Sequence, residues 1–138
     1  MSTAREIMTS GKDCVRTDET ASDAGRTMSR LGVGALPICG KDDKIKGVVT
    51  DRDLVTKVLA SGRDAGTFPA GDLNQQEAVT VGADDSAEDV LASMTRHQVR
   101  RLPVIDQGKL VGMITMADVA TALPNPQVGE LVQALSVD

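Results

Sequence analysis

Two short segments of the chain place a threonine and an aspartate at the same spacing. The first runs Gly47-Val-Val-Thr-Asp-Arg-Asp53, and the second runs Gly112-Met-Ile-Thr-Met-Ala-Asp118. In each, the threonine ends an apolar run typical of a strand, and the aspartate falls in the first turn of a predicted helix. A single Thr-x-x-Asp is close to a capping box, which satisfies free backbone N–H groups and contributes on the order of 1 kcal/mol. For one copy taken alone, this structural role is the favoured interpretation.

The presence of two copies in register favours a second role, which is the binding of a nucleotide. A helix N-terminus offers free N–H groups and the positive end of the helix dipole, and both suit a phosphate. Thr50 and Thr115 can add a hydroxyl donor. Asp53 and Asp118 can each accept both hydroxyls of a ribose, because an ionised carboxylate has two acceptor oxygens. The two motifs therefore carry the chemistry of complementary halves of a nucleotide site.

The two motifs close two copies of a longer internal repeat. Val15 to Cys39 aligns with Val81 to Ile105 at a constant offset of 66, and nine of those 25 positions are identical. After one deletion in the next turn the offset becomes 65, and the two motifs then coincide. Chance does not readily give this agreement, so the chain is predicted to contain two copies of one structural unit.

Each copy predicts the order strand, helix, strand, strand, helix. Thr20-x-x-Asp23 and Ser86-x-x-Asp89 resemble capping boxes that open the first helix of each copy. Polar turns between the next two apolar runs indicate a β-hairpin. Copies this small cannot bury both faces of a three-stranded sheet, so they should pack face to face as one module. The expected fold class is α/β (α+β), with two β-α-β-β-α repeats.

The same pattern predicts the domain boundaries. The first repeat with its N-terminal segment takes residues 1–62, a linker takes 63–69, the second repeat takes 70–124, and an amphipathic tail takes 125–138. In the tail, an apolar stripe has no partner inside the repeat scheme; it consists of Val128, Leu131, Val132 and Leu135. Two-fold packing is the commonest way to cover such a stripe, so we expect a homodimer.

Composition and charge exclude several classes of partner. The net charge is -5, and residues 70–138 hold 4 basic and 10 acidic side chains, so no basic face is available for duplex nucleic acid. Phe68 is the only aromatic residue, which argues against stacking with single strands. The N-terminus has no apolar signal-peptide region, and nowhere do 18 apolar residues run together. We therefore expect a cytoplasmic protein with no nucleic-acid or membrane partner.

Cysteine and histidine usage gives two further expectations. Cys14 and Cys39 lack the C-x-x-C spacing of a zinc or thioredoxin-type site, and His97 is the only histidine, so no metal site within one chain is expected. A metal shared across a dimer remains open. Neighbouring strands could bring Cys14 and Cys39 within disulfide reach, although cytosolic thiols are normally reduced. The alternative is a pair of small buried apolar residues.

Taken together, the repeats resemble CBS domains. Each has Leu-Pro in its second strand and closes on Gly-apolar-x-Thr-x-x-Asp, and the match covers nearly the whole chain. Among such proteins the chain is most similar to the small actinobacterial hypoxic response proteins, which are little more than one CBS pair. The resemblance implies that two repeats form one module, that modules pair into a disc, and that adenine nucleotides bind in clefts to which both repeats contribute.

Carried over position by position, the resemblance implies two unequal clefts. Cleft one would use Thr50, Asp53, Val79, Thr80, Val99, Arg101, Leu102 and Pro103. Cleft two would use Thr115, Asp118, Cys14, Val15, Val33, Ala35, Leu36 and Pro37. Gly34 and Ala35 stand where the second repeat has Arg100 and Arg101, so cleft two lacks a cation for the phosphate. Cleft one is therefore expected to be the principal site, with Arg101 as its phosphate partner, although solvated surface charge is the alternative for both arginines.

The expected function is regulatory. The chain shows no nucleophile-base-acid arrangement, P-loop, Gly-x-Ser-x-Gly elbow or metal-ligand cluster, so it is expected to be no enzyme and to need no cofactor. The adenine nucleotide would act as a regulatory ligand in a stress or energy sensor, with an unidentified protein partner left open. The alternative is a ligand-free dimeric scaffold or stress-response protein with vestigial clefts.

Overall fold

The computed structural model describes residues 2–74 and 78–135. In chain order its elements are α1 (Ala4–Ile7), β1 (Thr9–Ser10), β2 (Val15–Arg16), α2 (Ala21–Leu31), β3 (Ala35–Cys39), β4 (Ile45–Thr50), α3 (Asp51–Asp53), a π-helical turn (Leu54–Leu59), a 3₁₀ turn (Ala70–Asp72), β5 (Val81–Gly82), α4 (Ala87–His97), β6 (Arg101–Asp106), β7 (Lys109–Thr115), α5 (Met116–Ala122) and α6 (Asn125–Leu135). Both copies therefore have the predicted order, and the α+β class with two β-α-β-β-α repeats is confirmed.

The chain divides into two units, which are described separately. The first-repeat unit is Asp13–Ala78, and the second-repeat unit combines Met1–Lys12 with Val79–Asp138. The first contains a sheet in the order β2-β3-β4, with β2 parallel and β4 antiparallel to β3. The second contains a sheet in the order β1-β7-β6-β5, where β5 and β6 are parallel and the other pairs are antiparallel.

The first helix of each repeat forms as its sequence pattern predicts. Thr20 N–H donates to Asp23 Oδ2 at 2.9 Å, and Asp23 N–H donates to Thr20 Oγ1 at 3.2 Å. The same backbone donor lowers the pKa of Asp23 below its ordinary value. The helix ends at Gly32, whose φ of 68° lies in the left-handed region that glycine adopts freely. Most apolar positions predicted from helical spacing are buried; they are Ala21, Ala24, Met28, Ala87, Val90, Leu91 and Met94. Leu31, which the same spacing assigns to the buried face of the first copy, is 36% exposed, so the prediction was wrong at that position.

The N-terminal segment differs from the predicted boundary. The sequence groups it with the first repeat, whereas the structure places Met1–Lys12 in the second-repeat unit. Strand β1 pairs with β7, with Ser10 opposite Gly112, and Arg5 Nη2 donates to Asp106 Oδ2 at 2.9 Å. The physical reason is that β7 has a free edge whose backbone groups need partners. A strand of two residues has too few positions to show a period, so the sequence pattern gives no sign of this pairing.

The glycine that opens each motif lies where another backbone segment approaches closely. A Cβ built on Gly112 would stand 2.6 Å from both Thr9 O and Met8 Sδ. At the equivalent Gly47, a Cβ would stand 3.1 Å from Asn74 O. Glycine at these positions therefore lets another segment of the chain pass close to the backbone of β4 or β7.

The described part of the C-terminal tail, Asn125–Leu135, forms α6 and packs on its own unit. Leu135 is 4% exposed, Val128 contacts the same hydrophobic core, and Arg100 Nη2 donates to Leu135 O at 2.7 Å. The expectation that the apolar stripe has no partner was therefore wrong for Val128 and Leu135. Val132 is 47% exposed, and the side chain of Leu131 lies outside what the structure describes. Within the described parts of the chain, no helix is long and apolar enough to span a membrane.

Candidate functional site

Both Thr-x-x-Asp motifs have the same geometry at a junction between a strand and a helix. Thr50 N–H donates to Asp53 Oδ2 at 2.9 Å, and Asp53 N–H donates to Thr50 Oγ1 at 3.2 Å. Thr115 and Asp118 repeat both contacts at the same distances. Both motifs are therefore capping boxes, and the structural interpretation is confirmed. The cap uses Oδ2 of each aspartate and leaves Oδ1 for other partners.

A second contact fixes each motif against the loop that precedes the second strand of the same repeat. Asp51 N–H donates to Gly34 O at 2.9 Å, and Met116 N–H donates to Arg100 O at 2.8 Å. Arg101 is the cross-strand partner of Thr115, in the same register that pairs Ala35 with Thr50. Because directly opposed residues share a face of the sheet, Arg101 lies beside the motif of its own repeat. The expectation that Arg101 serves the same nucleotide site as Asp53 rests on the family resemblance alone.

The first motif has a cationic neighbour that sequence reasoning missed. Lys57 Nζ lies 3.4 Å from Asp53 Oδ1 and donates to Leu73 O at 2.7 Å. Asp53 and Lys57 are four residues apart, the spacing at which two side chains on a helix can form an ion pair, so this spacing could have indicated the contact from the sequence. The equivalent position in the second repeat is Ala122, and no ion pair to Asp118 occurs in residues 2–74 and 78–135. The two motifs thus share a backbone geometry but differ in the charge that faces the carboxylate.

The two adjacent arginines have different surroundings. Arg100 donates to Leu135 O and so holds the C-terminal end of α6, which gives it a structural role. Arg101 is exposed at the start of β6. An exposed guanidinium beside Thr115 can reach a phosphate, so Arg101 is the arginine of the pair that keeps a ligand-facing interpretation.

The other predicted site residues are distributed between surface and core. Val33 and Thr80 are exposed, and Val79, Val99 and Cys14 are half-buried. The remaining predicted residues are buried: Val15, Ala35, Leu36, Pro37, Leu102 and Pro103. Three of these buried side chains, Val15, Leu36 and Leu102, belong to the hydrophobic core of their own unit. Contacts from these three to a ligand are therefore limited to their backbone atoms.

The two cysteines are free thiols in contact with each other. Cys14 is half-buried immediately before β2, and Cys39 is 3% exposed at the end of the parallel strand β3. A hydrogen bond from the Cys39 thiol lowers the pKa of Cys14, and the same bond raises the pKa of Cys39. Cys14 is therefore the more readily ionised sulfur and the better nucleophile of the pair.

Hydrogen peroxide is expected to join the two sulfurs. The Cys14 thiolate attacks the peroxide and becomes a sulfenic acid, and the Cys39 thiol then displaces water to give the disulfide, so two thiols and one peroxide yield one disulfide and two waters. Intact mass should fall by two hydrogen atoms, and neither thiol should then alkylate. Cys14→Ser is the control, because it removes the nucleophile and should leave Cys39 free. Two alkylatable thiols in the peroxide-treated parent chain would contradict the prediction.

His97 has no metal-ligating surroundings among the described residues of its own chain. It is exposed in the last turn of α4, where a histidine near the helix C-terminus suits the dipole. Among the described residues, no three His, Cys, Asp or Glu side chains are grouped closely enough to hold a metal ion.

Two curated relatives match this chain along nearly their whole length. The chain is 45% identical to Hypoxic response protein 1 of Mycobacterium tuberculosis over 135 residues, which covers 98% of this chain and 94% of the relative. It is 34% identical to the CBS domain-containing protein YhcV of Bacillus subtilis, covering 99% and 96%. The inosine-5'-monophosphate dehydrogenase of Methanocaldococcus jannaschii also matches, but over only 24% of its length.

Solved structures agree with the fold and show two kinds of ligand. The crystal structure of Hypoxic Response Protein I, which has two coordinated zinc ions, is 47% identical with a TM-score of 0.81, covering 89% of this chain and 100% of that one. The structure of CBSX2 in complex with AMP is 28% identical with a TM-score of 0.73, covering 88% and 96%. The sequence-family model of the CBS domain matches this chain twice, at residues 4–60 and 70–125. The chain therefore belongs to the CBS-domain family and consists largely of one CBS pair.

Proposed function

We propose that the chain is a regulatory module without catalytic activity that binds an adenine nucleotide such as AMP, ADP or ATP. The observation that carries the proposal is the repeated motif geometry, in which each aspartate caps its helix with Oδ2 and keeps Oδ1 outside the cap. We call Thr50 with Asp53 the first half-site, and Thr115 with Asp118 the second half-site. Asp53 and Asp118 would accept ribose hydroxyls, and the threonines would add a donor toward the phosphate.

The binding of AMP by a related CBS pair supports this choice of ligand. CBSX2 was crystallised with AMP and matches 88% of this chain. The first half-site is proposed as the principal one, with Arg101 as the phosphate partner that the family resemblance assigns to it. A guanidinium suits this role because its rigid fork of N–H donors matches the geometry of a phosphate.

A homodimer belongs to the same proposal. The helix that follows the first motif exposes two apolar side chains one turn apart, Val55 at 53% and Leu59 at 68%. They provide apolar surface that a second copy would remove from water. One related protein forms an oligomer, the hexameric CBS-CP12 protein from bloom-forming cyanobacteria, which is 29% identical.

The alternative is a dimeric stress-response scaffold that binds no nucleotide. The observation in its favour is that Hypoxic Response Protein I, at 47% identity, was solved with two coordinated zinc ions. Under this alternative the two Thr-x-x-Asp motifs serve only as helix caps. Exposed His97 would be the residue to examine for metal shared between subunits.

A thermal-shift titration of the intact chain distinguishes the nucleotide-binding module from the scaffold. AMP, ADP, ATP, NAD, S-adenosylmethionine and Zn²⁺ are each added to protein freed of metal with a chelator, since a ligand that binds only the folded state raises the melting temperature. We expect adenine nucleotides to raise it in a saturable way, and light scattering on the same samples should give a dimer mass. A shift with Zn²⁺ alone would support the scaffold, and product formation from ATP would contradict the absence of catalysis.

A further inference from the structure

Lys57 is held in place by two acceptors in the first-repeat unit. Its Nζ lies 3.4 Å from Asp53 Oδ1, and the same atom donates to Leu73 O at 2.7 Å. Leu73 is fully buried in the core, so its carbonyl is a fixed anchor. The charge-assisted hydrogen bond to Leu73 O favours side-chain conformations that keep the ammonium near Asp53.

The two oxygens of Asp53 are consequently both engaged before any ligand arrives. Oδ2 accepts from Thr50 N–H at 2.9 Å, and Oδ1 faces Lys57. In the second repeat, Oδ2 of Asp118 accepts from Thr115 N–H at the same distance, while Ala122 takes the place of the lysine. No cation in the described part of the chain forms an ion pair with Asp118. The two carboxylates therefore make the same capping contact through Oδ2. They differ at Oδ1, which faces an ammonium in Asp53 and no ion-pair partner among the described residues in Asp118.

We propose that Lys57 determines how strongly the first half-site selects ribose over deoxyribose. The inference rests on the proposed function, since it concerns the aspartate that would accept ribose hydroxyls. A 2'-hydroxyl that donates to Oδ1 shares that oxygen with the ammonium, and it meets a carboxylate whose charge is already offset. Lys57 therefore weakens the contribution of the ribose at Asp53 and leaves binding there more dependent on phosphate and base.

The expected effect is modest, because Lys57 is half-exposed and its ion pair is partly screened. The side chain of Lys57 is 46% exposed, and that of Asp53 is 21% exposed. Exposed pairs four residues apart on a helix are weak, so removing Lys57 should change ribose selectivity by about twofold to fivefold. A site that bonds a hydroxyl rejects the analogue that lacks it, so the comparison of AMP with 2'-deoxy-AMP reports this contact directly.

Titration calorimetry on one half-site at a time provides the test. With Asp118→Asn in place, Lys57→Met should raise the ratio of the 2'-deoxy-AMP Kd to the AMP Kd by about twofold to fivefold. Lys57→Arg should keep the parental ratio, because the charge is retained. The matched control transfers the cation to the other repeat: with Asp53→Asn in place, Ala122→Lys should lower the same ratio. Lys57→Gln, which keeps a donor for Leu73 O, serves if Lys57→Met does not fold.

Each outcome has a defined meaning. If Lys57→Met and Lys57→Gln change the Kd values of AMP and 2'-deoxy-AMP by the same factor, Lys57 has only a structural role and the inference is overturned. A fall in the ratio of the 2'-deoxy-AMP Kd to the AMP Kd would overturn it as well. An unchanged ratio in Ala122→Lys would also count against it. If the parent chain gives no heat with either nucleotide and no adenine nucleotide raises its melting temperature, the proposed function fails and this inference fails with it. Binding by the parent with no change of ratio in any variant overturns the inference alone.

Discussion

Gly112→Ala is expected to destabilise the second-repeat unit by about 2 to 3 kcal/mol, as overpacking of a closely packed site does. The new methyl group would lie 2.6 Å from Thr9 O and from Met8 Sδ. The methionine sulfur can move, but the carbonyl belongs to the backbone of β1, which is paired with β7 at this position. Relief therefore requires β1 to move away from the sheet. Urea unfolding followed by circular dichroism measures the loss.

Two other glycines serve as controls for this prediction. Gly47→Ala adds the same methyl at the equivalent place in the first repeat, where its nearest contact is Asn74 O at 3.1 Å, so a smaller loss is expected. Gly129→Ala lies in α6 with nothing within 4 Å of the added atom. It should stabilise by about 0.5 to 1 kcal/mol, because alanine loses less conformational entropy in a helix. Equal effects of Gly112→Ala and Gly47→Ala would show that close approach of β1 is not the cause.

Arg101→Ala is expected to weaken AMP binding by about tenfold to hundredfold, which corresponds to the loss of one charge-assisted hydrogen bond to the phosphate. Arg101 is exposed, so its removal should leave the melting temperature nearly unchanged. Asp53→Ala should weaken AMP binding by about tenfold, the lower end of the same range, because the ammonium of Lys57 already offsets the charge of that carboxylate. Titration calorimetry with AMP measures both losses.

The half-site that Arg101 serves can be identified in the same experiment. Arg96→Ala is the matched control, since Arg96 is also exposed on the second-repeat unit and lies outside both half-sites. If Arg101 serves the first half-site, its loss should persist with Asp118→Asn in place. A loss that disappears in this background would assign Arg101 to Thr115, its cross-strand neighbour, and make the second half-site the principal one. An equal loss in Arg96→Ala would indicate only a general charge effect.

The order of helices and strands was predictable because the sequence contains an internal repeat and its apolar residues recur at regular spacing. The internal repeat fixed the order of elements, and helical spacing identified buried positions such as Ala24 and Met94. The capping boxes were visible because a threonine and an aspartate three residues apart form one local contact. Each of these features depends on residues close together in the chain.

The features that escaped prediction depend on distant residues or on a side chain's second partner. The pairing of β1 with β7 joins Ser10 to Gly112, and no local pattern signals it. The packing of α6 depends on Arg100, whose contact with Leu135 spans 35 residues. The bond from Lys57 to Leu73 O is likewise set by tertiary structure. Sequence reasoning therefore identified the two motifs but missed Lys57, the cation that faces the carboxylate of the first motif.

The pairing of β1 with β7 also has a consequence for how the protein is made. The second-repeat unit combines Met1–Lys12 with Val79–Asp138, so its first strand leaves the ribosome long before the strand it pairs with. The first-repeat unit is continuous and can fold during synthesis, whereas the second must wait for a contact of long sequence separation. A fragment cut at the repeat boundary would lose β1 and expose the edge of β7, which is a template for aggregation. A circular permutant that places Met1–Lys12 after the C-terminus should fold its second repeat without that delay.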